Sequence, residues 1–250
     1  MNFIPQHHTL RLRDSEVHFV TAGEGRPVVL LHGWPQTWYA WRKIIPLLSP
    51  LYRVIAPDLR GLGDSSRPEA GFDKKTVARD VADLLSALGI DHAYVVGHDW
   101  GAPVAWWSAL MRPDLFRAVA CMSVPYLPPL PGLPEGVTMN DLMRAMAAGH
   151  DYYRLYFQEP GVAEAEMDAN PRHSVLGMLY TISGDIVADG VHQSGWDGLF
   201  PMGERFVDQL VEPQTLPSWL TEDDVAYYVC RVRSEEHTSE LQSRETISYA

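Results

Sequence analysis

An α/β fold, with a mostly parallel sheet covered by helices on both faces and a helical insertion late in the chain, is what this sequence predicts. Three observations predict it. Short apolar runs at residues 27–31, 52–57, 93–96 and 118–123 alternate with stretches of helical period, as strands joined by crossover helices must. Five prolines between Pro125 and Pro134 end that alternation, and from Met139 to about Val232 the pattern reads as helices without strands. A chain of 250 residues, 46% hydrophobic, can bury one such core with its insertion. The predicted organisation is therefore a core at 1–124, a helical cap at 125–232 and a disordered tail at 233–250.

The elements follow in order. Residues 9–13 and 17–22 alternate with a period of two around Asp14 and Ser15, which predicts an opening hairpin. Residues 27–31 form a buried strand, and 52–57 another that ends in the glycine-rich turn Asp58-Leu59-Arg60-Gly61-Leu62-Gly63-Asp64. Asp58, Arg60 and Asp64 are expected to satisfy backbone groups of that turn. Val77, Val81, Leu84, Leu85 and Leu88 mark one stripe of the next helix. A strand at 93–96, a helix at 102–111 stopped by Pro113, and a strand at 118–123 complete the core; Trp106 and Trp107 are structural by default. In the cap, Asn140 can start a helix striped by Leu142, Met143 and Met146, and Thr221 can cap another through Asp224.

A formal charge of −12 and a pI near 5.2 disfavour nucleic acid and anionic membranes as partners, since both demand a basic face. A neutral small molecule fits better. No segment approaches the roughly 20 apolar residues of a membrane span, so a soluble, cytoplasmic protein is expected. Cys121 and Cys230 lie in separate apolar runs and are expected to be buried thiols, which leaves neither a disulfide nor a metal site.

The chemistry concentrates at Gly97-His98-Asp99-Trp100-Gly101, between the strand at 93–96 and the helix at 102–111. A strand, a sharp turn and a helix in succession push the central residue out of the sheet top in a strained geometry. The flanking glycines leave room for that turn. An acid stands where most such turns carry serine. A carboxylate nucleophile attacks saturated carbon and leaves an ester on the protein, whereas serine suits acyl transfer. Epoxides or alkyl halides are the expected substrates.

His32-Gly33-Trp34-Pro35 closes the strand at 27–31. Gly33 permits a turn that aims the amide of Trp34 back toward the same cavity, and Pro35 stiffens it in a position where a cis bond is available. With the amide of Trp100 this makes a two-donor oxyanion hole for the hydrolysis of an ester. Loss of one such donor typically costs about 3 to 4 kcal/mol of transition-state stabilisation.

Through these two motifs and the cap segment Tyr153-Arg154-Leu155-Tyr156-Phe157-Gln158-Glu159-Pro160-Gly161, the sequence resembles the α/β-hydrolase superfamily and, within it, the soluble epoxide hydrolases, over nearly all of residues 3–232. The resemblance implies that Asp99 is the nucleophile, that Trp34 and Trp100 supply the oxyanion amides, and that Tyr153 is the first of two cap tyrosines holding the epoxide oxygen. A phenol that stays protonated at neutral pH can donate to that oxygen as the ring opens. The implied cycle makes an alkyl-enzyme ester and hydrolyses it to a vicinal diol, without metal or organic cofactor. Tyr152, Tyr153 and Tyr156 together would otherwise read as an aromatic core cluster.

The same resemblance implies a histidine base, its acid partner and a second tyrosine downstream of the cap, and none is found there. Val124-Pro125 stands where some dehalogenases place their acid. From Arg233 to at least Ser243 the residues match the translation of a short-read sequencing adapter, so that His237 is no candidate base. The chain is therefore expected to be a truncated, inactive fragment whose strand at 118–123 is an exposed sheet edge. His92, His150, His173 and His192 are expected at the surface or in the cap, and His98 beside the elbow. Haloalkane dehalogenase is the rival enzyme, because it too sets an aspartate before a tryptophan. It needs indole donors around a halide where an epoxide needs hydroxyls. A non-catalytic ligand-binding fragment is the reading from a different class.

Overall fold

The computed structural model describes residues 4–126 and 136–232, which fall into two compact units, 1–128 and 129–250. The predicted tail at 233–250 and four of the five prolines lie outside the described residues. In the first unit the opening hairpin pairs β1 (Gln6–Arg11) with β2 (Glu16–Ala22), and β3 (Arg26–Leu31) follows. A short helix α1 (Ile45–Leu48) leads to β4 (Tyr52–Pro57), then α2 (Lys74–Ala87), β5 (Ala93–His98), α3 (Gly101–Met111) and β6 (Phe116–Met122). The six strands lie in the order β1-β2-β4-β3-β5-β6, antiparallel at β1, β2 and β4 and parallel from β4 through β3 and β5 to β6. The alternation of apolar runs and helical stripes is thus realised as a mostly parallel sheet.

β3 lies between β4 and β5, and Val29, Leu30 and Leu31 are fully buried. That position explains its unbroken apolar run, since a parallel strand with both faces covered has no polar side. Each such side chain stabilises the fold by roughly 1.5–3 kcal/mol, enough to hold the strand's end rigidly where the site is built. α2 begins at Asp73, whose carboxylate accepts from the N–H groups of Lys75 and Thr76, and its buried stripe carries Val77, Val81, Leu84 and Leu85. Gly89, at φ +67°, lets the chain leave the helix.

Arg60 departs from its expected role. Its guanidinium donates to both oxygens of Asp80 on α2, at 2.7 and 2.9 Å, and to Asp14 in the hairpin turn at 2.7 Å. It ties three segments together, where the prediction had it serving its own turn. β6 has β5 as its one neighbour among the described strands, and Arg117, Ala118, Ala120 and Met122 are exposed along it. The cysteines are free, but they are not the buried pair predicted. Cys121 is half-buried on this edge strand, and Cys230 is exposed because the last helix buries Val225 and Tyr228 instead.

The second unit contains α4 (Met139–Ala147), β7 (His150–Tyr152), α5 (Tyr153–Tyr156), α6 (Val162–Ala169), α7 (Pro171–Thr181), α8 (Asp185–Ala188), β8 (Leu199–Pro201) and α9 (Glu222–Val232). Two predictions are corrected here. β7 and β8 form an antiparallel pair where no strand was expected, because three-residue strands are too short to show a period. α4 is capped by Thr138, not begun by Asn140: Thr138 Oγ1 accepts from the N–H of Asp141, whose carboxylate accepts from the N–H of Thr138. Of the α4 stripe, Leu142 and Met143 are half-buried and Met146 is exposed. Thr221 and Asp224 make the reciprocal cap expected of α9. Buried along most of its length, α7 is the centre of this unit, and Gly177 lets Leu210 approach to where a Cβ would sit 2.9 Å away.

Among the described residues, no helix is long and apolar enough to cross a membrane.

Candidate active site

Leu31 and Gly97 are register partners at the carboxyl ends of the adjacent parallel strands β3 and β5. The two glycine motifs therefore leave the sheet side by side, at the edge where open α/β sheets bind ligands. Asp99 turns there at φ +51°, a left-handed conformation that costs a residue with a Cβ about 1–2 kcal/mol. The turn is held by the N–H of Asp99 donating to the carbonyl of Met122 (3.2 Å) and by the N–H of Ala102 donating to the carbonyl of Asp99 (3.0 Å).

Glycine is obligatory at three places around it. A Cβ on Gly97 would lie 2.1 Å from the carbonyl oxygen of Gly101, and one on Gly101 would lie 2.3 Å from that of Leu31. A Cβ on Gly33 would meet the Asp99 side chain itself. These contacts explain the motif spacings, because helix α3, strand β5 and the Gly33 turn converge on one carboxylate.

Asp99 is half-buried, and its Oδ1 accepts the backbone N–H of Trp34 at 2.9 Å. The Trp34–Pro35 bond is cis. Trp100 follows Asp99 and is the first flanking residue of α3, so its N–H belongs to the helical turn whose amides lack intrahelical acceptors. That helix end also favours negative charge. The indole of Trp34 is buried, and the ring of Trp100 packs under the Lys74 ammonium, 5.4 Å from its centroid. His98 is half-buried at the end of β5. Trp106 packs against Tyr126 and Lys75 lies over Trp107, which fits their structural reading.

His32 is fully buried. Its Nδ1 donates to the carbonyl of Gly33 at 2.9 Å and its Nε2 accepts the N–H of Leu59 at 3.0 Å. Burial holds its pKa below the usual imidazole range, against the opposing pull of Asp58. Asp58, also fully buried, does serve its turn, since Oδ2 accepts the N–H of Asp64 (3.0 Å). It does more: Oδ1 accepts the N–H of Trp38 (2.7 Å), and Oδ2 meets Nδ1 of His18 (2.8 Å). His18 was not anticipated from the sequence. A histidine facing inward from an otherwise apolar stretch of β2 was the signal available.

His18, Asp58 and Asp64 bring one donor atom each within 4.8 Å of one another, the one such group among the described residues. The hydrogen bonds just described already occupy both oxygens of Asp58, so this donor set is suited to a hydrogen-bonded charge network and poorly suited to a metal.

In the second unit Tyr153 opens α5, and its N–H donates to the carbonyl of Gly198 at 3.0 Å. Its half-buried ring packs against Tyr152, Phe157 and Trp196 with centroids 5.2 to 5.9 Å away. Tyr156 is committed elsewhere, its hydroxyl donating to Glu166 at 2.6 Å. Burial, reinforced by that carboxylate, pushes its pKa up to about 12.

Comparison with known proteins agrees with this architecture. Residues 26–163 match the family model of the alpha/beta hydrolase fold. The chain is 39% identical over 229 residues to epoxide hydrolase A of Mycobacterium tuberculosis (strain ATCC 25618 / H37Rv), a match spanning 88% of this chain and 68% of the relative. Its fold is similar to the crystal structure of epoxide hydrolase A from Mycobacterium thermoresistibile, with a TM-score of 0.83 and 36% identity over 96% of this chain and 74% of that one. It is also similar to an epoxide hydrolase from an endophytic Streptomyces, with a TM-score of 0.86 and 34% identity over 96% and 71% of the two chains.

Proposed function

The chain belongs to the α/β-hydrolase fold family and, within it, to the epoxide hydrolases, and from that premise we propose that it opens small apolar epoxides through an ester on Asp99. The observation that carries this reading is the Asp99 carboxylate presented at φ +51°, with Oδ1 held by the N–H of Trp34. With Oδ1 so engaged, Oδ2 is the attacking oxygen. It forms a bond to one epoxide carbon while that carbon's bond to the ring oxygen breaks, and the oxygen takes a proton from the phenol of Tyr153. Tyr156 is poorly suited to that role, since burial and the hydrogen bond to Glu166 push its pKa up to about 12 and its hydroxyl already donates to that carboxylate.

Water then adds to the ester carbonyl. The charge on its oxygen is received by the amides of Trp34 and Trp100. Collapse breaks the bond from the carbonyl carbon to the alkyl oxygen; one proton of the water goes to that oxygen to release a vicinal diol, the other restores the Tyr153 phenol, and the carboxylate is returned. His32 is not the base for this second step, because Nε2 already accepts from Leu59 and Nδ1 already donates to Gly33.

Incubation of the purified chain with styrene oxide, followed by intact mass measurement, tests the proposal. The expected product carries the whole epoxide mass on Asp99, and Asp99→Asn carries none. A chain that is instead modified by 1-bromobutane, gaining butyl with loss of bromide, and is left unmodified by the epoxide would favour dehalogenation. An adduct that persists in Asp99→Asn would remove the carboxylate from the mechanism.

A further inference from the structure

We infer that His32 and Ser65 are positioning residues for Asp99, acting through a one-directional relay of hydrogen bonds that crosses two peptide units. The inference rests on the reading of Asp99 as nucleophile and extends it to residues that never meet the substrate. The relay begins at Ser65, whose Oγ–H donates to the carbonyl of Asp58 at 2.8 Å. The other end of that same peptide, the N–H of Leu59, donates to Nε2 of His32 at 3.0 Å. Nδ1 of His32 then donates to the carbonyl of Gly33 at 2.9 Å, and the other end of that peptide, the N–H of Trp34, donates to Oδ1 of Asp99 at 2.9 Å. Because a peptide is planar, fixing its oxygen fixes the direction of its N–H.

The tautomer of His32 follows from the geometry. A backbone N–H can only donate, so Nε2 must present its lone pair to Leu59, and the proton of the neutral ring must sit on Nδ1. The opposite tautomer would set two N–H groups against each other at Leu59 and leave the Gly33 carbonyl without a donor. With Nδ1 protonated, all four bonds point the same way, toward the carboxylate. Aligned bonds polarise one another, so the chain places the positive end of a string of dipoles on Oδ1 and leaves Oδ2 as the oxygen that reacts.

Both anchors of the relay are buried: His32 is fully enclosed and Ser65 is 4% exposed. The Asp58 side chain holds the upstream peptide in place through Trp38, His18 and Asp64. Gly33 keeps the downstream peptide against the carboxylate, since any Cβ there would lie 2.5 Å from Oδ1.

Two substitutions separate the halves of the imidazole. His32→Asn keeps a donor near Nδ1 and loses the Leu59 acceptor, whereas His32→Gln keeps an acceptor near Nε2 and loses the donor to Gly33. The rate of Asp99 modification by styrene oxide is expected to fall at least about tenfold in His32→Gln and less in His32→Asn, since small misplacements of a reacting group cost up to about a hundredfold. The Trp34 amide proton resonance is expected to move upfield in His32→Gln and in Ser65→Ala, a shift that a purely structural role for the ring would not produce. Should His32→Gln fail to fold, ring nitrogen resonances of His32 in the unaltered chain decide the matter: a proton on Nε2 overturns the relay. So does His32→Gln reacting at the original rate with the Trp34 resonance unmoved. An unaltered chain that the epoxide does not modify overturns the nucleophile reading alone, because the Trp34 and His32 resonances still report on the relay.

Discussion

A Cβ placed on Gly33 would lie 2.4 Å from the Cβ of Asp99. The turn after β3 and the turn after β5 are therefore in van der Waals contact at the candidate nucleophile, with no volume between them for even a methyl group. Gly33→Ala must push the two turns apart. It is expected to destabilise the protein by about 1–3 kcal/mol, the usual cost of overpacking, and to slow modification of Asp99 by an epoxide at least about tenfold. Urea denaturation and intact mass against time measure the two effects.

Asp99 occupies a left-handed backbone conformation that asparagine adopts more readily than other residues with a side chain. Asp99→Asn should thus keep stability within about 0.5 kcal/mol of the parent while abolishing the adduct, whereas Asp99→Val, branched at Cβ, should lose about 1–3 kcal/mol as well. Unfolding midpoints of the two variants, measured side by side, check the distinction.

Asp58 is a fully buried carboxylate that meets Nδ1 of His18 and accepts two backbone N–H groups. Asp58→Ala strands all three. Removing one side of such a buried network costs about 3–5 kcal/mol, so the variant is expected to lose much of its stability even though Asp58 never meets the ligand. Asp58→Asn, which keeps one acceptor oxygen, should lose less. Urea titration of both variants gives the ranking.

Nδ1 of His173 on α7 donates to the carboxylate of Glu212 at 2.7 Å, and its Nε2 meets the carbonyl of Val207 at 3.0 Å. Partial burial is the largest single influence and lowers its pKa, but the hydrogen bonds to Glu212 and Val207 and the charges of Glu212 and Asp208 together outweigh it, and the net shift is upward. A histidine whose folded pKa exceeds its unfolded value of about 6.5 stabilises the fold fully below that unfolded value, and the contribution fades as the pH rises through the folded one. With both partners partly exposed it amounts to under about 1 kcal/mol. The stability gap between parent and His173→Gln should therefore be larger at acidic than at alkaline pH, and a gap that widens with alkali would contradict this account.

Glu166 is one of the causes that raise the Tyr156 pKa to about 12, after burial itself. Glu166→Gln should bring the phenol down toward its ordinary value of about 10, though burial will hold it above that value. Ultraviolet titration of the difference between the two proteins reads the shift.

The carboxylate, both glycine motifs and the alternation of strands and helices are all legible in the linear order of residues. Their signals are local: a turn needs its glycines within a few positions, and a buried parallel strand needs an unbroken apolar run. The three-residue strands β7 and β8 were not legible, because a period of two cannot be seen in so few residues. The outward face of Cys230 was missed for a related reason. Hydrophobic composition marked its helix, while the stripe actually buried follows Val225 and Tyr228.

What the sequence by itself determined is the fold class and the address of the candidate site: an acid at position 99 in a strand-turn-helix context, and a second glycine turn at 32–35 able to offer an amide. Only the tertiary structure decided how that acid is held. The Trp34 amide, the His32 ring, the Asp58 peptide and Ser65 are up to 67 positions from Asp99 in the chain, and no spacing rule links them. Parallel pairing of β3 with both β4 and β5 brings their ends together, and a hydrogen bond needs donor and acceptor within about 3 Å, whatever their distance along the chain.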